Sequence, residues 1–131
     1  MKVIQTSGTR KTAVARATLM PGNGIVRINS ELLQNMTSDM IKLKIQEPLL
    51  IAEEASKKID ISVTVNGGGK SSQAEAARLA IARALAIYDK TLQKEFLDYD
   101  RSLLVADVRR KETHRPNNHG KARARRQRSR R

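Results

Sequence analysis

Ile59-Asp60-Ile61-Ser62-Val63-Thr64-Val65-Asn66-Gly67-Gly68-Gly69-Lys70-Ser71-Ser72-Gln73-Ala74-Glu75-Ala76-Ala77 changes from one periodicity to another across three glycines. Ile59, Ile61, Val63 and Val65 alternate with Asp60, Ser62 and Thr64, the period of a strand with one buried face. The glycines permit a tight turn. Ser72 and Glu75 have capping-box spacing and open an alanine-rich helix predicted to reach about Tyr88. Ala77, Ile81, Ala84, Leu85 and Tyr88 form its apolar stripe.

Upstream, residues 12–20 are small and β-compatible, Pro21-Gly22-Asn23-Gly24 supplies turn residues, and Ile25-Val26-Arg27-Ile28 resumes an extended pattern, so a β-hairpin is predicted. Across residues 38–58, Met40, Ile41, Leu43, Ile45, Leu49, Leu50, Ile51 and Ala55 recur at near-helical intervals behind Ser38, a candidate N-cap. Pro48 should break or kink that helix. Downstream, a second helix is predicted over residues 91–97 and a short final strand over 103–108. The order argues an α+β fold, helices packed on a small sheet, with no internal repeat.

Charge is distributed unevenly. Residues 109–131 hold eleven of the 26 Lys and Arg but one acid, Glu112, and so carry +10 of the net +13. With no large apolar side chain after Val108, the segment cannot offset a backbone ordering cost of roughly 1–2 kcal/mol per residue by burial. It is expected to be an extended tail, disordered when free, attached to a nearly neutral globular body at residues 1–108. A dense polyanion would order it, because each cation meeting a phosphate releases counterions and forms a charge-assisted hydrogen bond. Arginine outnumbers lysine nine to two in the tail, and a planar guanidinium forks onto phosphate and stacks on bases, which points to RNA. The bland alternative is a solvated or localisation tail.

Several function classes lack their residues. There is no cysteine for a disulfide or thiolate metal site, and the two histidines, His114 and His119, stand among cations. No signal peptide or uninterrupted apolar span is visible, so a cytoplasmic protein is expected. No cofactor fingerprint or nucleophile with a nearby base appears. Strand, glycine turn, Lys70-Ser71 and helix suit a phosphate loop, yet Thr64 occupies the position where that motif needs its first glycine. Leu103-Leu104-Val105-Ala106-Asp107 only superficially resembles the strand that would hold magnesium. The glycines thus either permit a turn or let exposed amides and Lys70 grip an RNA phosphate. Arg10, Lys11 and Arg16 form a small basic cluster that is equally consistent with a solvated strand edge. Tyr88, Phe96 and Tyr99 are the only aromatics, too few for a base-stacking platform, so recognition should rest on shape and backbone.

These residues resemble one known family. Residues 67–85 match the glycine-triplet, glutamine, small-residue helix of the ninth protein of the small ribosomal subunit, the universal S-nine family. Gly8, Arg10, Lys11, Ala13 and Ala15 resemble its opening element, and Asp107, Arg109 and Glu112 a later one. Lys121-Ala122-Arg123-Ala124-Arg125-Arg126-Gln127 is similar to the tail of the archaeal and eukaryotic branch, and the short N-terminus to the archaeal one.

The resemblance implies a mixed sheet with a left-handed β-α-β crossover, against the general right-handed preference. It implies a non-enzymatic protein of the small-subunit head, on the cytoplasmic ribosome, with no cofactor, membrane or small-molecule substrate. Its implied partners are small-subunit ribosomal RNA, peptidyl-site tRNA and neighbouring head proteins. Ribosomal RNA contacts are implied for Arg10, Lys11, Arg16, Gly67, Gly68, Gly69, Lys70, Arg78, Arg83, Arg109, Arg110, Lys111, Arg115, Lys121, Arg123, Arg125 and Arg126. Arg128, Ser129, Arg130 and Arg131 are implied to reach the anticodon stem-loop of the tRNA. Arg128 and Arg130 stand where many relatives place an aromatic or a lysine, and Asn117-Asn118-His119 replaces a more basic or glycine-rich stretch. The alternatives are a P-loop-like nucleotide-binding protein, testable by nucleotide-induced stabilisation, and a stand-alone nucleic-acid chaperone, testable by co-sedimentation with small subunits.

Overall fold

A computed structural model describes residues 3–35 and 39–106. The strand that begins at Ile59 is the middle strand of the sheet. It runs Ile59–Asn66 (β5), and its Ile59, Ile61, Val63 and Val65 are buried while Ser62, Thr64 and Asn66 are exposed. Four further strands complete a mixed sheet: Ile4–Arg10 (β1), Ala13–Pro21 (β2), Val26–Ile28 (β3) and Glu31–Leu32 (β4). Their order is β1-β2-β5-β3-β4, with β3 parallel to β5 and every other neighbouring pair antiparallel. The helices are Asp39–Ile51 (α1), Glu53–Ser56 (α2), Lys70–Tyr88 (α3) and Thr91–Tyr99 (α4). The fold is therefore α+β, and β3 joins its parallel neighbour β5 by a crossover through β4, α1 and α2.

The predicted hairpin of residues 12–20 with 25–28 does not form. β5 lies between those segments, because β2 and β5 can pair along eight residues, from Val14 with Asn66 to Pro21 with Ile59, whereas β3 offers three. The Pro21-Gly22-Asn23-Gly24 turn is used to arch over the start of β5. Gly22 N donates to Lys58 O at 3.1 Å and Gly24 N to Ile59 O at 2.9 Å. Asp60 Oδ1 accepts from Asn23 N at 2.9 Å and Ile25 N at 3.0 Å. The real hairpin is β1 with β2, turned by Lys11-Thr12, with Lys11 at φ 53. After β3, Asn29 continues the ladder: its amide donates to Val63 O at 2.7 Å and its Oδ1 accepts from Val65 N at 2.8 Å.

Helix α3 lies on the sheet with little between the backbones. The sheet offers Gly8, Ala13, Ala15 and Ala17, and the helix Ala76, Ala77, Ala80 and Ala84, all buried. Thr6 Oγ1 donates to Ala80 O at 2.7 Å, a strand side chain bonding directly to the helix backbone. The apolar stripe is broader than the sequence suggested. Ala74, Leu79 and Ala82 are buried as well, because α3 packs against the sheet on one side and against α1 and α4 on others. Phe96 of α4, Ile45 of α1 and Leu103 complete the core.

Other local expectations are revised. The Ser72–Glu75 capping box is absent: α3 begins at Lys70 behind Gly69, and Glu75 turns to Arg10 and Lys44. Pro48 lies inside α1, which continues for most of a turn to Ile51 before the helix is interrupted at Ala52. The second helix extends to Tyr99. Residues 103–106 form no strand. They follow a short 3-10 turn, Arg101–Leu103, that buries Leu103 while Asp100 O and Arg101 O accept the Leu103, Leu104 and Val105 amides. Ser38, residues 107–108 and the segment 109–131 lie outside the described residues.

Two predictions follow from this packing. A Cβ on Gly8 would press into the Ala76 carbonyl and come within 2.7 Å of Ala80 N, whereas one on Gly69 meets nothing within 4 Å. Gly8→Ala should therefore cost about 1–3 kcal/mol in urea unfolding, and Gly69→Ala should not destabilise. For Asp60, hydrogen bonds from the Ile25 and Asn23 amides hold its carboxyl below the ordinary value, helped by the Gly24 amide and the Arg27 charge and opposed by desolvation. A depressed folded-state pKa contributes stability that is complete above the unfolded value, about 3.9, and is lost as pH falls through the folded value. Thermal melts should thus find Asp60→Asn less stable than the parent at neutral pH, with the difference shrinking below about pH 4.

Candidate nucleic-acid interface

Two turns meet at one end of the sheet. Gly67 and Gly68 adopt φ +79 and +66, the left-handed region that glycine enters without strain. A Cβ on Gly67 would lie 2.7 Å from Thr12 O, and one on Gly68 3.1 Å from Ala13 N. The glycine turn is thereby packed against the β1–β2 turn, which brings exposed Lys11 to the same end as exposed Gly67, Gly68, Gly69 and Lys70. Helix α3 starts here without a side-chain cap and with no acid in its first turn. Its leading amides therefore present positive partial charge beside Lys70. Gln73 braces the turn from inside, its Nε2 donating to Gly67 O at 3.0 Å and its amide to Gly69 O at 2.9 Å. This end can bind an anionic backbone.

The other arginines of the body are deployed differently. Arg10 lies on the helix side of β1, where its Nε is 2.6 Å from Glu75 Oε2 and its side chain is 18% exposed. Lys44 joins this pair, with Nζ 3.7 Å from Glu75 Oε1 and 3.5 Å from Ser71 Oγ. Arg78, 14% exposed, bonds Glu47 of α1 and reaches Asp100 Oδ2 at 3.3 Å, fastening α1 and the end of α4 to α3. Arg83 donates to Leu104 O at 3.1 Å and Ser7 O at 3.0 Å, tying the chain beyond α4 to β1. Arg16 is neither paired in this way nor at a sheet edge. It points outward from β2, an interior strand.

The structure thus gathers Lys11, Gly67, Gly68, Gly69 and Lys70 at one end, sets Arg16 on the open face, and embeds Arg10, Arg78 and Arg83 in contacts within the chain. The remaining candidates, from Arg109 to Arg131, lie outside the described residues. Arg27 and Lys44 were not singled out from sequence. The signal for Arg27 was its place between apolar Val26 and Ile28 on a short strand. Asp100, just after α4, is half-buried and receives Arg78. With no strand at residues 103–106, the phosphate-loop reading loses the strand that its metal-binding aspartate requires. No helix among the described residues is long and apolar enough to cross a membrane.

Comparison with known proteins bears on the whole chain. The family described as ribosomal protein S9/S16 matches residues 8–131, which include the basic C-terminal segment. The small ribosomal subunit protein uS9 of Methanococcus maripaludis strain C7 is 46% identical over 132 aligned positions, covering 98% of each chain. The protein of the same description from Methanococcus vannielii is 47% identical over the same share of each chain.

The two classes of cation separate by experiment. Arg78→Ala should lower stability by about 1–3 kcal/mol, because it removes a mostly buried side chain and leaves Glu47 without its partner. Lys11→Ala, at an exposed turn, should melt within about 0.5 kcal/mol of the parent.

Proposed function

This chain belongs to the ribosomal protein S9/S16 family, and from that premise we propose that it is a structural constituent of the small ribosomal subunit. In this reading the body binds ribosomal RNA in the head of the subunit, beside neighbouring head proteins, and the C-terminal segment extends to the peptidyl-site tRNA. The observation that carries it is near full-length similarity to two archaeal small-subunit proteins, basic segment included. The protein works on the ribosome in the cytoplasm and acts by binding, not by catalysis.

The geometry supports a division of labour. Lys11, Lys70 and the amides of Gly67–Gly69 contact ribosomal RNA phosphates, as does Arg16 from the sheet. Arg10, Arg78 and Arg83 serve the complex by fixing α3, α1 and the chain beyond α4, so that RNA meets a preformed surface. Arg109, Arg110, Lys111, Arg115, Lys121, Arg123, Arg125 and Arg126 contact ribosomal RNA, and Arg128, Ser129, Arg130 and Arg131 meet the tRNA anticodon stem-loop. Without aromatic rings in this terminus, the tRNA contact is electrostatic, with arginine planes available to stack.

Small subunits reconstituted with the full chain, or with a chain ending at Gln127, test the tRNA assignment. Weaker tRNA binding at the peptidyl site with normal incorporation is expected; unchanged tRNA affinity would overturn it. For ribosomal RNA, neutralisation of about eight phosphates should give a slope of log affinity against log salt of roughly −6 to −7, and a slope near −2 would contradict binding led by the basic segment.

A further inference from the structure

Helices cover one face of the sheet, and the other is open among the described residues. Strand register arranges that open face in rows. Ser7 of β1 stands beside Arg16 of β2, which stands beside Thr64 of β5. The next row carries Thr18 of β2, Ser62 of β5 and Arg27 of β3. All six are exposed except Thr18, which is half-buried. With strands about 4.8 Å apart and residues about 3.3 Å apart along each, the two arginines sit roughly 12 Å from one another at Cα, with hydroxyls between them.

The chemistry of this face is selective. Asp60 is the one acid at the outward positions of β1, β2, β3 and β5, and its carboxylate already accepts the Asn23 and Ile25 amides. Arg16 therefore faces the solvent with no carboxylate beside it on these strands, and Arg27 has near it only that of Asp60, whose Oδ1 is taken up by the two amides. No aromatic ring lies on the face, so bases cannot be read by stacking. Serine and threonine hydroxyls both donate and accept, which matches the 2′-hydroxyl of ribose, and guanidinium forks match phosphate. A protein partner would favour an apolar or aromatic centre over serine, and here Val14 and Met20 stand only toward the two ends. Residues 107–131, with net charge +9, are repelled by the same arginines.

We propose that the open face of the sheet, centred on Arg16, Arg27, Ser62 and Thr64, is a second RNA-contact surface that reads the ribose-phosphate backbone. The proposal rests on the ribosomal reading above and specifies how the body meets RNA: independently of base sequence, and with preference for RNA over DNA.

The test uses the full chain, with in vitro transcribed Methanococcus small-subunit ribosomal RNA and single-stranded DNA of the same sequence as probes. The Arg16→Ala/Arg27→Ala double variant should bind the transcript at least tenfold more weakly, and its salt slope should be shallower by about 2, one for each lost phosphate contact. Lysine at both positions should restore the slope. Ser62→Ala/Thr64→Val should keep the slope and lose preference for RNA over DNA. All of these side chains lie outside the core, so unchanged melting confirms that each variant is folded. A double alanine variant with parental affinity and slope would overturn the surface. So would one that binds RNA normally but fails to recruit a neighbouring protein in reconstituted subunits, because the face would then be a protein contact. If the parent chain itself ignores the transcript, the ribosomal reading fails with it, whereas a binding parent and a double variant that binds equally well remove this surface alone.

Discussion

The close approach of α3 to the β1–β2 hairpin is the constraint on which the remaining structure depends. At Gly8 the helix backbone occupies the place where a side chain would stand, and alanines on both layers keep the approach close along the interface. An alanine methyl contributes little burial, about 0.8 kcal/mol per buried carbon on a transfer scale, so this interface specifies geometry more than it stabilises. Larger side chains supply the bulk of the burial around it, notably Leu19, Ile81, Leu85 and Phe96. Because the helix sits so low, Arg78 and Arg83 on its flanks reach carboxylates and carbonyls on neighbouring elements. Arg10 meets Glu75 from the strand below.

The parts of this architecture legible in the sequence were those set by local periodicity. β5 could be read because β-branched residues alternate with polar ones, and α3 because three glycines precede a run of small helix formers. Strand pairing was not legible. Pro21-Gly22-Asn23-Gly24 looks like a hairpin turn, and only the Asp60 carboxylate, far along the chain, shows that it caps a different strand. β1 carries Thr6, Ser7, Gly8 and Thr9, with no apolar run to announce it. The capping-box spacing of Ser72 and Glu75 was real, but an ion pair with Arg10 competes for the glutamate and prevails.

The candidate interface was legible to the same degree. Lys70 and the glycine triplet adjoin in sequence, but Lys11 joins them only through the pairing of β2 with β5, which places the β1–β2 turn against the glycines. Arg78 and Arg83 look like surface cations in an alanine helix, and nothing in their spacing reveals Glu47, the Leu104 carbonyl or the Ser7 carbonyl as partners. A basic residue can be recognised from sequence. Whether its charge is already engaged is a tertiary fact.

The sheet order has a consequence for how the protein is made. Among the described residues β5 is the last strand to leave the peptide exit tunnel, yet it is the strand that joins β1–β2 to β3–β4. Until residue 66 has emerged, two small hairpins exist without a common ladder, and the apolar faces of Ala15, Ala17 and Leu19 have neither their strand neighbour nor α3 to cover them. A nascent chain of this design stays unfinished through half its length and then closes over a few residues of further synthesis, as β5 and the first turns of α3 arrive together. Domains whose strands are added in sequence order can build their sheet edge by edge. This one assembles from its ends toward its middle, so any stall in translation before the glycine triplet leaves two fragments awaiting the strand that unites them.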